Sequence, residues 1–153
     1  MKTREHRLIV DCSVVMKWTL TAEHFSPQAT ELMLDGESLA TEVCAPDQLR
    51  AEVMNAFLKA YRRKRLLLDE ARDGLRQTML YPFTLYKTTP RLVSRAFEIA
   101  APSQQHAYDC IYVALAEAKK LEFWTGDERL YNALQSTFPF VRWIAHYQRR
   151  RPS

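Results

Sequence analysis

Leu8-Ile9-Val10 is an apolar run without alternation, ending at Asp11, which suits a strand buried on both faces of a parallel sheet. A helix is predicted over 27–35, with Ser26 as N-cap, Pro27 at the first helical position and Gly36 just past the end. Residues 38–44 read as a second strand. Pro46-Asp47 opens a long helix to about residue 63, and another follows over 69–80 until Pro82 stops it. A short strand is predicted over 83–86 and a helix over 90–100. Pro102-Ser103 starts a further helix running to residue 120. Strands over 122–125 and 141–144 enclose a helix over 128–134. Strands alternating with helices imply an α/β fold, a parallel sheet covered on both faces with right-handed crossovers. Ligands in such sheets bind beyond the carboxyl ends of the strands, where strand order reverses. That rule directs attention to Asp11 and Asp127.

The chain shows no repeat, low-complexity tract or internal linker, and 153 residues suit one domain spanning 1–153, with a core over 8–146 and a basic tail over 147–153. Gly occurs only at Gly36, Gly74 and Gly126, so no glycine-rich dinucleotide or P-loop motif can form. Three Cys and four His are scattered without C-x-x-C or H-E-x-x-H spacing, which excludes a standard zinc site. The odd cysteine count, without a secretory leader, points to a reducing cytoplasm. The longest uncharged stretch, 130–141, is too short to span a bilayer, so no membrane segment is expected.

Net charge is +4, and the runs 62–65 and 149–151 hold seven of the 22 basic residues. Such clumps suit an anionic partner, and equally suit solvated helix ends and tails.

The acids are more informative. Asp11 closes the first strand, and Asp127 follows the strand ending at Thr125, with Gly126 between, so both fall on one edge of a parallel sheet. Asp109 begins a helix whose run 110–116 is apolar or aromatic all round, the mark of a buried helix. In the helix after Pro46, Leu49, Val53, Ala56, Phe57 and Ala60 form the core stripe, and Glu52 lies on its margin. Each acid alone has an ordinary use: Asp11 and Asp127 as loop or cap residues, Asp109 as a dipole partner, Glu52 as a flanking surface acid. Together they are harder to accommodate, since two carboxylates about 5 Å apart repel by roughly 3 kcal/mol at an effective dielectric of about 20. Four converging acids need a cation, and oxygen-only ligation selects a hard ion, Mg²⁺ or Mn²⁺.

The segments LIVDCSVVMKW, PDQLRAEVMNAF, AYDCIYVALAEAKKL and FWTGDERL, in this order and spacing, resemble the four motifs of the PIN-domain ribonucleases, and the set is most similar to VapC-type toxins of type II toxin-antitoxin pairs. The likeness runs from residue 8 to about 144. It implies a PIN-like three-layer α/β/α fold with a five-stranded parallel sheet. Carried over position by position, the family's metal-binding and catalytic acids fall on Asp11, Glu52, Asp109 and Asp127, with Ser13, Asn55 and Thr125 in support. Cys12 stands where threonine or alanine is commoner and Gly126 where alanine is usual; neither change removes a ligand.

The resemblance implies an endoribonuclease in which Mg²⁺ or Mn²⁺ activates a water against an RNA phosphodiester, inhibited by a small cognate antitoxin and expected to be homodimeric. No protein nucleophile is required, and Cys12 and Cys110, beside two of the acids, are read as small hydrophobes. Asn55, Lys59 and Arg63 continue the strip begun by Glu52, which makes Lys59, Arg62 and Arg63 candidate RNA contacts. Trp124 and Trp143 fall in predicted buried strands and are assigned to the core. Two alternatives stand beside this: a non-catalytic RNA-binding PIN-fold module, and an aspartyl-phosphate phosphatase, whose usual second acid is replaced here by Ser13.

Overall fold

A computed structural model describes residues 6–38 and 40–150. Leu39, within the predicted second strand, and Arg151, within the terminal basic run, lie outside the described residues. Strands β1 (His6–Val10), β2 (Thr41–Pro46), β3 (Thr84–Tyr86), β4 (Glu122–Thr125) and β5 (Val141–Trp143) form one sheet in the order β3-β2-β1-β4-β5. Every pairing is parallel. The unalternating run Leu8-Ile9-Val10 is fully buried because β1 is the central strand, flanked by β2 and β4 and covered on both faces.

Among the described residues seven α-helices surround this sheet: α1 (Cys12–Met16), α2 (Ser26–Glu37), α3 (Leu49–Arg62), α4 (Leu68–Leu80), α5 (Pro90–Ser103), α6 (Ala107–Lys119) and α7 (Glu128–Leu134). The chain steps from β1 to β2 and β3 on one side, then crosses back to β4 and β5 on the other. Strand order therefore reverses between β1 and β4. The register pairs Val10 with Trp124, which brings Asp11 level with Thr125 at the carboxyl edge of that switch point. No helix among the described residues is long and apolar enough to cross a membrane.

Several local expectations are corrected. The N-cap of α2 is Phe25, in the left-handed region at φ 64°, and Ser26 lies inside the helix, where its hydroxyl donates to the Lys17 carbonyl at 2.9 Å. Gly36 also lies within α2, and its small size serves close packing: a Cβ there would collide with Tyr81 Oη and come within 2.8 Å of Val43 Cγ2. Pro46 ends β2 instead of opening α3. Pro102 belongs to the last turn of α5, where a missing N–H costs one bond; Gln104, at φ 57°, turns the chain before α6 begins at Ala107. Ile144 leaves β5 for a 3₁₀ turn reaching His146. Helix α1 follows β1 after the single residue Asp11 and has no counterpart in the sequence reading.

Beyond that turn the chain is tied down by Asp35 of α2, 1% exposed, whose carboxylate accepts from the Tyr147 hydroxyl at 2.7 Å and the Arg150 amide at 3.0 Å and pairs with Arg149 at 3.4 Å.

Candidate active site

Asp11 is 5% exposed and caps α1, accepting from the Val14 amide at 3.3 Å. Two hydroxyls hold its carboxylate. Ser13 donates to Oδ1 at 2.5 Å and Thr125 donates to Oδ2 at 2.6 Å. Each hydroxyl accepts in turn from the loop that follows β4, Ser13 from the Gly126 amide at 2.8 Å and Thr125 from the Asp127 amide at 3.1 Å. Two short relays thus lock the first acid to the loop bearing the last. Asp127 caps α7, accepting from the Leu130 amide at 3.2 Å, and pairs with Arg129 at 3.8 Å.

Glu52 projects from the first turn of α3 and Asp109 from the first turn of α6, both half-buried. The hydroxyl of Tyr112, fully buried on α6, donates to Glu52 at 2.8 Å and so fixes the acid of one helix by a side chain of another. Gln48 donates to the Tyr108 carbonyl at 3.0 Å, a second tie between α3 and α6 at this edge.

Burial pushes the Asp11 carboxyl up to about 6, and the negative field of Asp109 adds to this against the pull of Ser13, Thr125 and the Val14 amide. Burial likewise raises Glu52, which also feels Asp11, and raises Asp109, which feels Asp127 and Glu52. The four sequence-predicted acids therefore occupy one electrostatic neighbourhood. Among the described residues, Asp11, Glu52 and Asp109 make no ion pair. Nor is any group of three His, Cys, Asp or Glu side chains there arranged to hold a metal ion as it stands. The donors are all oxygen, partly desolvated and mutually repelling, which is chemistry that a hard divalent cation relieves. The Cys12 thiol is pushed up by burial and then by Asp11, Glu52 and Asp109, which opposes its thiolate form.

A cleft of about 510 Å³ opens over Glu52 and Asn55, and Lys59 lines both it and a neighbouring cleft of about 430 Å³ to which Arg63 contributes. Arg62 is exposed at the end of α3, outside the linings of these two clefts. Trp124 is core, as expected, whereas Trp143 is half-buried among Phe25, Tyr131 and His146. Sequence reasoning missed Tyr112 and Lys17. Tyr112 hides within an apolar run, but Lys17 left a signal as the only charged residue over 12–20.

Residues 8–133 match the PIN domain family. No curated protein sequence matches the chain. Among solved structures the fold is similar to PAE2754 from Pyrobaculum aerophilum, at 18% identity over 92% of each chain and a TM-score of 0.66. It is also similar to VapC20 from Mycobacterium tuberculosis, a sarcin-ricin loop cleaving toxin, at 14% identity over 88% of this chain and 98% of that one, with a TM-score of 0.61. VapBC2 from Rickettsia felis, bound to a DNA fragment from their promoter, gives 9% identity over 90% and 96%, with a TM-score of 0.59. At these identities the likeness is one of fold. The family match covers most of the chain, including all four acids and the switch point that gathers them, and the chain belongs to the PIN domain family.

Proposed function

We propose that the chain is a Mg²⁺- or Mn²⁺-dependent endoribonuclease and the toxin of a toxin-antitoxin pair. The observation that carries this reading is Asp11, an acid enclosed at the carboxyl end of the central strand, held on both oxygens by hydroxyls and set in the field of a second acid. Family membership and the likeness of fold to a VapC toxin support it.

Asp11, Glu52, Asp109 and Asp127 are the residues that would hold the cation. When bound, such an ion stabilises negative charge on a phosphodiester and lowers the pKa of a water. The chain's own contribution is orientation. Ser13 and Thr125 fix the plane of the Asp11 carboxylate by occupying one lone pair on each oxygen, and Tyr112 does the same for Glu52. Asn55 offers an amide to the strand in the cleft, and Lys59, Arg62 and Arg63 supply positive charge for the flanking backbone. Burial and the neighbouring carboxylates oppose a Cys12 thiolate, and hydrolysis by water is the chemistry assigned to the site.

The test is cleavage of structured and unstructured RNA in Mg²⁺, Mn²⁺ and EDTA. Asp109→Asn should lower the rate by at least about 100-fold, since even outer-shell changes at metal sites cost about 10- to 100-fold, while leaving the melting profile cooperative. Cleavage that survives EDTA, or is unchanged in Asp109→Asn, would overturn the reading. RNA binding without cleavage would favour the non-catalytic module.

A small antitoxin is the proposed protein partner, supplying a positive group to the acids and burying apolar surface on α2 and α3. Of these two helices, α3 carries the exposed apolar residues Met54, Leu58 and Tyr61. A homodimer in the cytoplasm completes the proposal.

A further inference from the structure

The two clefts meet at Cys12, Ala56 and Lys59 but differ in charge. One is lined by Glu52 and uncharged side chains apart from Lys59; the other by Lys17, Lys59, Arg63 and Arg65 against a single acid, Glu23. Lys17 forms the inner wall of the basic half. It is 7% exposed, and lysine is seldom buried without a purpose for its charge. Its stem runs against the Asp127 loop, where a Cβ on Gly126 would come within 2.7 Å of Lys17 Cε and 3.1 Å of Ser13 Oγ. The ammonium lies 3.3 Å from Glu23 Oε2, while Glu23 Oε1 accepts from Arg65 Nη2 at 2.8 Å. One carboxylate is thus shared by two cations, and among the described residues Lys59 and Arg63 have no ion-pair partner. The cleft keeps a strong positive excess one residue away from two of the acids.

We propose that Lys17 is a substrate-binding residue that takes the RNA phosphate adjacent to the scissile one, in competition with Glu23, and that the basic half of the cleft is the track of the strand leaving the acids. The inference rests on the nuclease reading and adds a subsite to it. A strand whose reacting phosphate lies over the carboxylates has its next phosphates carried by the shared Cys12 and Lys59 boundary into a field of opposite sign. A compact ammonium on a stem fixed by packing suits a phosphate oxygen as a point contact, and a basic groove that follows the backbone suits a single strand.

The experiment measures anisotropy of a fluorescent single-stranded RNA 12-mer with the full chain in EDTA, across a salt series, alongside melting curves. Lys17→Met, which keeps the stem, should weaken binding about tenfold and lower the slope of log K against log salt by about 0.7, one single-strand phosphate contact. Lys17→Arg should restore most of both. Glu23→Gln should act in the opposite direction, tightening binding about threefold, because the acid competing for Lys17 and Arg65 is gone. In Mg²⁺, Lys17→Met should raise KM about tenfold with kcat within about threefold. Native affinity and slope in Lys17→Met overturn the proposal, as does weaker binding in Glu23→Gln; that second variant decides should Lys17→Met fail to fold. Competition by polyglutamate equal to that by RNA also overturns it, in favour of an acidic protein segment. If the native chain neither binds nor cleaves RNA, the nuclease reading falls too, whereas cleavage indifferent to Lys17 removes this subsite alone.

Discussion

Because burial lifts the Asp11 carboxyl to about 6 from an ordinary 3.8, the folded chain retains a proton between about pH 4 and 6 that the unfolded chain has released. The stability Asp11 contributes is therefore fully present below about pH 4 and lost as pH rises through 6, a loss of about 3 kcal/mol. Asp11→Asn keeps the cap and the Ser13 bond on its oxygen and removes the charge, while its amide nitrogen must donate to Thr125 where the carboxylate accepted. It should make the metal-free protein more stable than native at pH 7, by about 1–3 kcal/mol, with the gap closing below pH 4. Mn²⁺ should raise the native melting temperature and leave the variant unmoved. Parallel pH profiles for the two proteins in urea unfolding would refute this account. Tyr112→Phe should cost about 1 kcal/mol in the same assay and reduce cleavage about tenfold, by freeing Glu52. The acids were legible in the sequence because a carboxylate at a strand end, or beside an apolar helical run, violates the local pattern. Tyr112 and Lys17 were harder to read: a buried tyrosine satisfies the pattern, and its hydroxyl's partner on another helix depends on packing alone.

At the scale of elements, the alternation of strands and helices was legible because the buried strands are unalternating and most helices have marked ends. Failures fell where a side chain had a tertiary use that outranked its local preference. Ser26 is a good N-cap by type, yet its hydroxyl serves the Lys17 carbonyl, and Gly36 resembles a helix stop but admits Tyr81. The latter yields a prediction whose sign opposes propensity. Replacing a helical glycine by alanine ordinarily stabilises by about 1 kcal/mol, but Gly36→Ala should destabilise by about 1–3 kcal/mol, since the new Cβ displaces Tyr81, whose hydroxyl donates to the Met33 carbonyl at 2.8 Å. Urea denaturation of the single variant decides it; a stabilised Gly36→Ala would show that the α2 contact is slack. Helix α1 went unread because five residues are too few to establish a period.

For the whole molecule, α3 joins the acid site to an exposed ridge, with Glu52 on one side and Met54, Leu58 and Tyr61 at helical spacing on another. If an antitoxin covers that ridge, Leu58→Glu should abolish co-purification with the product of a neighbouring gene while leaving RNA cleavage intact; retained capture would move the interface elsewhere. Sedimentation of the chain alone tests the proposed dimer. The strand order also has a consequence in time. Asp11 is made at the start of synthesis, but the hydroxyl that grips its second oxygen lies 114 residues later, on β4. At about 5–20 residues per second that interval is on the order of ten seconds. Throughout it the central strand has an open edge and its acid lacks half its support, so under the proposed function the nascent chain carries no finished active site. Stalled nascent chains ending before Glu122 should leave RNA uncut, and release of the full chain should start cleavage without a lag for further assembly.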